Sequence, residues 1–138
     1  MPYTGGMTLP TGYEARPIGR VRSTLTDVAS APKQGHEGAP DAWIEFVPDV
    51  APALAELAPG DQVLVLTWLD RADRTVLRVH PRGDPANPET GVFLTRSPHR
   101  PNPIGLHPVR VAERDGLRVR VHPLEAVDGT PVLDVKSA

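Results

Sequence analysis

Short runs in which every second residue is apolar punctuate this chain, and stretches rich in glycine, proline and aspartate separate them. Alternation of this kind buries one face of a strand and exposes the other. Ile18 to Ser23 and Ala42 to Val47 read as the first two strands. From Gln62 to Leu69 the run is nearly continuous, the pattern of a strand buried on both faces. Thr75 to His80 alternates again, with Leu77 and Val79 on one side and Arg78 and His80 on the other. Gly91 to Thr95 predicts a further strand. Val109 to Glu113 and Leu117 to His122 flank Asp115-Gly116, a strong hairpin signal. Along the second arm Leu117, Val119 and Val121 face one way, and Arg118, Arg120 and His122 the other. Asp128-Gly129 marks another tight turn before a last strand from Pro131 to Val135. One short helix fits this series. Asp49 is expected to cap it, Leu54 and Leu57 to face inward, and Gly60 to end the turn.

Many short strands, glycine turns and one brief helix predict a mainly all-β fold, a small antiparallel β-barrel with one or two short helices. No GxGxxG opens a helix and no βαβ alternation appears, which speaks against a doubly wound nucleotide-binding sheet. The 138 residues suit one domain. That domain is expected over residues 17–138. Residues 1–16, with Gly5, Gly6, Pro10 and Gly12 and no periodicity, are expected to form a flexible tail.

Composition narrows the chemistry. Aromatics are only 4%, so valine, leucine and alanine must fill the core. Cysteine is absent, which excludes disulfides and thiolate metal sites. His36, His80, His99, His107 and His122 show no HExxH-like spacing and read as surface or loop histidines, so no metal is expected. No run is long enough to span a membrane, and no basic region followed by an apolar stretch opens the chain, so a cytoplasmic protein is expected. The net charge of −2 argues mildly against broad nucleic-acid binding. Arginines recur at Arg71, Arg74, Arg78 and Arg82, then at Arg96 and Arg100; solvated charge is their default reading.

The stretch from Gly91 to Val109, GVFLTRSPHRPNPIGLHPV, carries the most information. Proline fixes its own φ and pushes the preceding residue into extended geometry. Pro98, Pro101 and Pro103 therefore restrict Ser97, Arg100 and Asn102. A stiff, extended loop results, with polar side chains held in set directions, and such a loop loses less entropy when it binds. Arg96, Arg100 and Asn102 are the residues whose setting the prolines fix.

TRSPHRPNPIGL resembles the central signature of the TsaA-like, or TrmO, family, and the similarity extends from about Pro17 to Lys136. The resemblance implies a small β-barrel working as a homodimer. It also implies methylation, by S-adenosylmethionine, of N6 of the threonylcarbamoyladenosine beside the anticodon of certain tRNAs. It places cofactor contacts in four separated segments. Pro32, Lys33 and Gln34 match a Pro-Arg-Gln of the family, with lysine keeping the charge but losing the bidentate fork. Asp70 and Arg71 follow the continuous apolar strand, where an ordinary strand-end ion pair is the plainer reading. Arg96 and Leu106 belong to the signature. Val127, Asp128, Gly129 and Thr130 match a DGTP turn, explicable also as a hairpin turn alone. Asp134 and Lys136 match a DxK pattern and should share a strand face.

Methyl transfer from a sulfonium needs donor and nucleophile in line and water excluded, with no metal and no covalent intermediate. A carbamoylated N6 is a poor nucleophile, so an acceptor for its proton would help. Asp70 and His99 have the residue types for that role. Arg100 and Asn102 are expected to meet the acceptor or to hold the loop that does. The family's lysine is commonly followed by Pro-Tyr, where this chain has Ser137 and Ala138, and the C-terminal domain of the longer bacterial enzymes has no counterpart here. These departures and the acidic balance keep two alternatives beside tRNA methylation: a small-molecule acceptor, and cofactor binding without turnover.

Overall fold

Eight strands organise the chain: β1 (Gly19–Arg22), β2 (Ala42–Phe46), β3 (Gln62–Trp68), β4 (Arg78–Val79), β5 (Thr90–Gly91), β6 (Ile104–Asp115), β7 (Arg118–His122) and β8 (Pro131–Ser137). The computed structural model describes residues 7–138, so part of the expected N-terminal tail lies outside the described residues. Residues 7–17 carry neither helix nor strand and are exposed. Six strands close into a barrel in the order β1-β2-β7-β6-β3-β8, and every neighbouring pair is antiparallel. The small antiparallel barrel is thus the fold. β4 and β5 pair separately as a two-stranded sheet. No helix among the described residues is long and apolar enough to cross a membrane.

The inward residues of the strands explain why they form. Val21, Ile44, Val63, Val65, Val109, Val111, Val119, Val121 and Val132 are all buried. β-branched side chains pack well on a pleated surface and are stiff there. Each one fully buried stabilises the fold by roughly 1.5–3 kcal/mol relative to exposure. The seam between β1 and β8 is short, pairing Gly19 with Val132 and Arg20 with Pro131. Two further bonds extend it, Ile18 N–H to the Val132 carbonyl at 2.8 Å and Val21 N–H to the Thr130 carbonyl at 2.9 Å. Gly19 permits the close approach of β1 to β2, because a Cβ there would lie 2.4 Å from the Glu45 carbonyl oxygen.

Some sequence expectations are corrected. β3 is not buried on both faces. Val63, Val65 and Thr67 point into the barrel, while Leu64, Leu66 and Trp68 are half-buried on its outside, where no second layer covers them. The expected helix is a 3₁₀ helix over Pro48–Leu54. Val47, not Asp49, is its N-cap, and no side chain caps it; Pro52 inside the turn cannot supply an α-helical N–H. Leu54 is buried and Leu57 half-buried, as their spacing implied. Arg114 of β6 donates to the Leu57 carbonyl at 3.1 Å and also to that of Leu54, closing this end of the barrel.

The strand expected over 75–80 shrinks to Arg78–Val79, and Leu77 is exposed instead of inward. The strand expected over 91–95 gives way to a 3₁₀ turn over Val92–Leu94, because Thr95 N–H and Oγ1 both donate to the Val92 carbonyl, at 3.0 and 2.9 Å. β6 starts earlier than expected, since β3 pairs with it from Gln62↔Arg110 to Trp68↔Ile104.

Antiparallel neighbours around a closed ring make successive strands run up and down alternately. The connections 23–41, 69–103 and 123–130 therefore emerge at one end. The 3₁₀ helix and the tight turn at Gly116 occupy the other.

Gly105 sits on the inward face of β6 where a Cβ would lie 2.3 Å from Thr67 Oγ1 and 2.6 Å from His107 Nε2. Gly105→Ala is expected to destabilise the fold by about 1–3 kcal/mol through overpacking. Urea denaturation measures it; an unchanged midpoint would show that the space is not filled as described.

Candidate active site

The three connections at one end touch one another through specific contacts. The turn at 127–130 is tied to the end of β1. Gly129 N–H donates to the Val21 carbonyl and Asp128 N–H to the Leu25 carbonyl, each at 2.7 Å. Asp128 Oδ1 accepts from Ser23 N–H at 3.0 Å, and its other oxygen lies 3.6 Å from Arg22. Gly129 adopts φ +86°, which few side chains tolerate. Thr130 is buried and donates to the Val127 carbonyl at 2.7 Å. Connection 23–41 rests on the same region: Leu124 N–H donates to the Pro40 carbonyl at 3.1 Å, and Gly35 packs on Pro123. It also reaches connection 69–103, through Arg82 and Glu37 at 2.6 Å.

The second half of the site is a clamp on the signature. Leu69 N–H donates to the Pro103 carbonyl at 2.8 Å, extending the β3–β6 ladder by one bond. Arg74 stacks 5.1 Å from the Trp68 ring and donates to the Pro101 carbonyl at 2.7 Å and to Asn102 Oδ1 at 3.2 Å. Asp73 N–H donates to His99 Nδ1 at 2.9 Å. With Nδ1 accepting, the neutral ring carries its hydrogen on Nε2 and presents a donor there. Thr75 donates to Asp73 through its hydroxyl and its N–H, which holds the Asp73 carboxyl below the usual carboxylate range. Arg100 turns back to donate to the Thr95 carbonyl at 2.9 Å and to that of Val92, while its Nε is buried without a partner among the described residues.

The sequence candidates therefore differ in their settings. Arg100 and Asn102 are engaged in hydrogen bonds within the signature and to Arg74. Asp128, Gly129 and Thr130, with buried Val127, form a turn fastened to β1. Lys33, Asp70, Arg71 and Arg96 are exposed. They make no ion pair among the described residues, and Asp70 and Arg71 do not pair with each other. Pro32 and Gln34 are half-buried at the base of the first connection. Leu106 stands apart: it is 37% exposed on the outer face of β6, opposite Leu66. Asp134 and Lys136 share the outer face of β8, 3.1 Å apart, at the far end of the barrel.

Sequence reading missed Arg74 and Trp68, which hold the Pro101-Asn102 turn; an arginine and a tryptophan six residues apart gave no signal of contact. His107 corrects the reading of all five histidines as surface groups. It is 5% exposed, because the β-period points it inward between Gly105 and Val109. No group of three or more potential metal ligands forms among the described residues. A cavity of about 570 Å³ lies at the opposite end, lined by Phe46, Leu54, Leu57, Val63 and Val135; Asp134 and Lys136 also border it, and none of the other candidate residues does.

The fold is a small β-barrel domain, and most of the candidate residues lie on the long connections at one end of it. The family description that fits is the N-terminal domain of tRNA-methyltransferase O, which matches residues 20–137, and the chain belongs to this family. A probable S-adenosyl-L-methionine-binding protein of Archaeoglobus fulgidus is 44% identical over 123 residues, covering 89% of this chain and 33% of that protein. An S-adenosyl-L-methionine-binding protein of the same organism is 41% identical over 121 residues, covering 88% of this chain and 86% of its own length. The crystal structure of TrmO from Pseudomonas aeruginosa superposes with a TM-score of 0.73 at 30% identity, over 93% of this chain and 56% of that one. The chain thus spans a third of the first archaeal relative and somewhat more than half of the TrmO chain.

Arg74→Ala is expected to cost about 1 kcal/mol, the size of an exposed cation–π contact with its accompanying hydrogen bonds. It should also broaden the amide signals of residues 99–103 in NMR spectra. Unchanged signals would show that the prolines alone hold the turn.

Proposed function

We propose that the chain binds S-adenosylmethionine at the loop end of its barrel and transfers the methyl group to N6 of threonylcarbamoyladenosine in tRNA. Membership of the family supports this reading. The observation that carries it is that Lys33 of connection 23–41 and Arg71 and Arg96 of connection 69–103 lie at the same end of the barrel, without ion-pair partners among the described residues.

The residues present fit the cofactor. Its carboxylate needs a cation, and Arg96 has an uncommitted fork. Its ammonium and sulfonium need oxygen atoms, which Asp70 and the carbonyls around Val127 and Gly129 supply. The Asp128 carboxylate already accepts from Ser23 and faces Arg22, so it holds the turn and leaves the cofactor to the backbone. Lys33 and Gln34 bring a charge and an amide from the first connection. Bound there, the cofactor supplies an activated methyl group.

The chain's own residues then orient the acceptor. The signature, stiffened by its prolines and clamped by Arg74 and Arg100, presents an ordered wall. Lys33 and Arg71 suit the anionic groups of a nucleotide acceptor. Asp70 takes the N6 proton; His99 presents a donor at Nε2 and serves to seat the loop on Asp73. The domain works as a homodimer in this reading, and the half-exposed outer residues Leu66, Ile104 and Leu106 support a second copy on that face. A tRNA acceptor implies a cytoplasmic setting. The net charge of −2 favours, as a second reading, the same transfer to a smaller anionic acceptor.

Calorimetry with S-adenosylmethionine tests the first step. Arg96→Ala is expected to weaken binding by about 1.5–3 kcal/mol, the worth of a charge-assisted contact. Equal affinity in the folded variant would remove Arg96 from the site. Mass spectrometry of nucleosides from tRNA incubated with protein and cofactor tests the acceptor. A methylated threonylcarbamoyladenosine, formed at a rate that falls with salt, is the expected product. Turnover on the free nucleoside with no salt dependence would favour the smaller acceptor.

A further inference from the structure

A buried polar line at the loop end of the barrel has no part in the proposed transfer. Thr67 of β3 is fully buried, and its Oγ1 lies 2.7 Å from Nε2 of His107 on β6. The other ring nitrogen, Nδ1, is hydrogen-bonded to Oε1 of Glu125, whose side chain is 13% exposed. Glu125 belongs to connection 123–130. A Cβ built at Gly35 would lie 3.6 Å from its second oxygen, 3.1 Å from Pro123 Cγ and 3.3 Å from the Pro123 carbonyl oxygen. The line therefore runs from the barrel wall to the back of the segment that carries Pro32, Lys33 and Gln34.

Retaining this line is costly. A buried imidazole and a nearly buried carboxylate lose solvation that an apolar pair would not need. β6 also gives up a side chain at Gly105 to make room for Thr67 and His107. Every atom is satisfied in one arrangement: Thr67 O–H donates to Nε2, and Nδ1–H donates to the carboxylate. Each member then orients the next, and the surface offered by Pro123 and Glu125 is fixed relative to β3 and β6.

The first connection depends on that surface. Its two ends are fastened by Asp128 N–H to the Leu25 carbonyl at 2.7 Å and Leu124 N–H to the Pro40 carbonyl at 3.1 Å, but between them the bonds of segment 32–39, Glu37 N–H to the Gln34 carbonyl and Ala39 N–H to the Gly35 carbonyl at 3.1 Å each, are internal. Arg82–Glu37 ties it only to another connection. We propose that Thr67, His107 and Glu125 form a positioning relay that seats the segment 32–37, and thereby set how Lys33 and Gln34 meet the cofactor. The part concerning the cofactor rests on the function proposed above; the seating of the segment does not.

The relay is tested with His107→Gln, Glu125→Gln, the double variant and Thr67→Val in the full chain. Amide exchange is followed without cofactor. In each single variant that folds, exchange at Glu37 and Ala39 is expected to accelerate about tenfold, while Val65 and Val111 in the barrel wall keep wild-type protection. Thr67→Val, which removes only the hydroxyl that orients His107, is expected to give the same pattern at about threefold or more, and keeps the test open if a charged-line variant does not fold. Calorimetry with S-adenosylhomocysteine should show about tenfold weaker binding for His107→Gln and for Glu125→Gln, and no further loss in the double variant, because both act through one line. Unchanged exchange at Glu37 and Ala39 in the folded variants would overturn the proposal, as would binding losses that multiply in the double variant. The exchange measurement needs no cofactor. It decides the seating of the segment even for a wild-type chain that takes up no S-adenosylhomocysteine, a result that would count against the cofactor reading alone.

Discussion

Closure of six strands into an antiparallel ring is the constraint from which the site follows. A closed sheet leaves no edge whose N–H and C=O groups lack partners. Because each strand runs against both neighbours, the chain must reverse end at every connection. Connections 23–41, 69–103 and 123–130 then share one end, while the Pro48–Leu54 turn and the β6–β7 hairpin share the other. Segments far apart in sequence are brought together by hydrogen bonding in the barrel wall. The narrow β1–β8 seam is the weak place in this closure, and the Gly129–Val21 and Val21–Thr130 bonds that extend it belong to the turn that carries the candidate residues 127–130. Closing the barrel and building the site are one act at that point.

Stiffness is supplied in layers. Prolines limit the backbone of the signature, Arg74 and Arg100 fasten it to carbonyls, and Asp73 seats His99. Asp128 does the same for its turn, spending its carboxylate on Ser23 and Arg22. The groups left uncommitted, Lys33, Asp70, Arg71 and Arg96, are held on this prepared frame, and a ligand meeting them has less disorder to remove. The relay through Thr67, His107 and Glu125 extends the same logic to the first connection.

What the sequence revealed depended on how local the signal was. The alternation of Val119 and Val121 with Arg118 and Arg120 fixed a strand and both of its faces, because period-two patterning is local. The same pattern misled over 75–80, where only Arg78–Val79 pair, and the strand expected over 91–95 did not form. Over 91–95 the N–H and hydroxyl of Thr95 took the Val92 carbonyl and turned the chain into a 3₁₀ helix, a bond no alternation encodes. Gln62 to Leu69 looked buried on both faces, yet one barrel wall offers only one interior. Within the candidate site, prolines drew attention to Arg100 and Asn102 but did not reveal their hydrogen-bond partners, the Thr95 carbonyl and Arg74. Arg74 on Trp68 and His107 on Glu125 are contacts between separate strands and connections, and no spacing within either partner announces them.

The central claim is that ligand recognition belongs to the end where these three connections meet. Amide chemical-shift mapping of the isotope-labelled chain during titration with S-adenosylhomocysteine tests it most directly. The large shifts are expected to fall together on residues 32–38, 69–71, 95–106 and 127–130, with residues 48–61 and the hairpin at Gly116 unmoved. Shifts centred instead on Phe46, Leu54, Val63 and Val135, around the cavity at the opposite end, would contradict it.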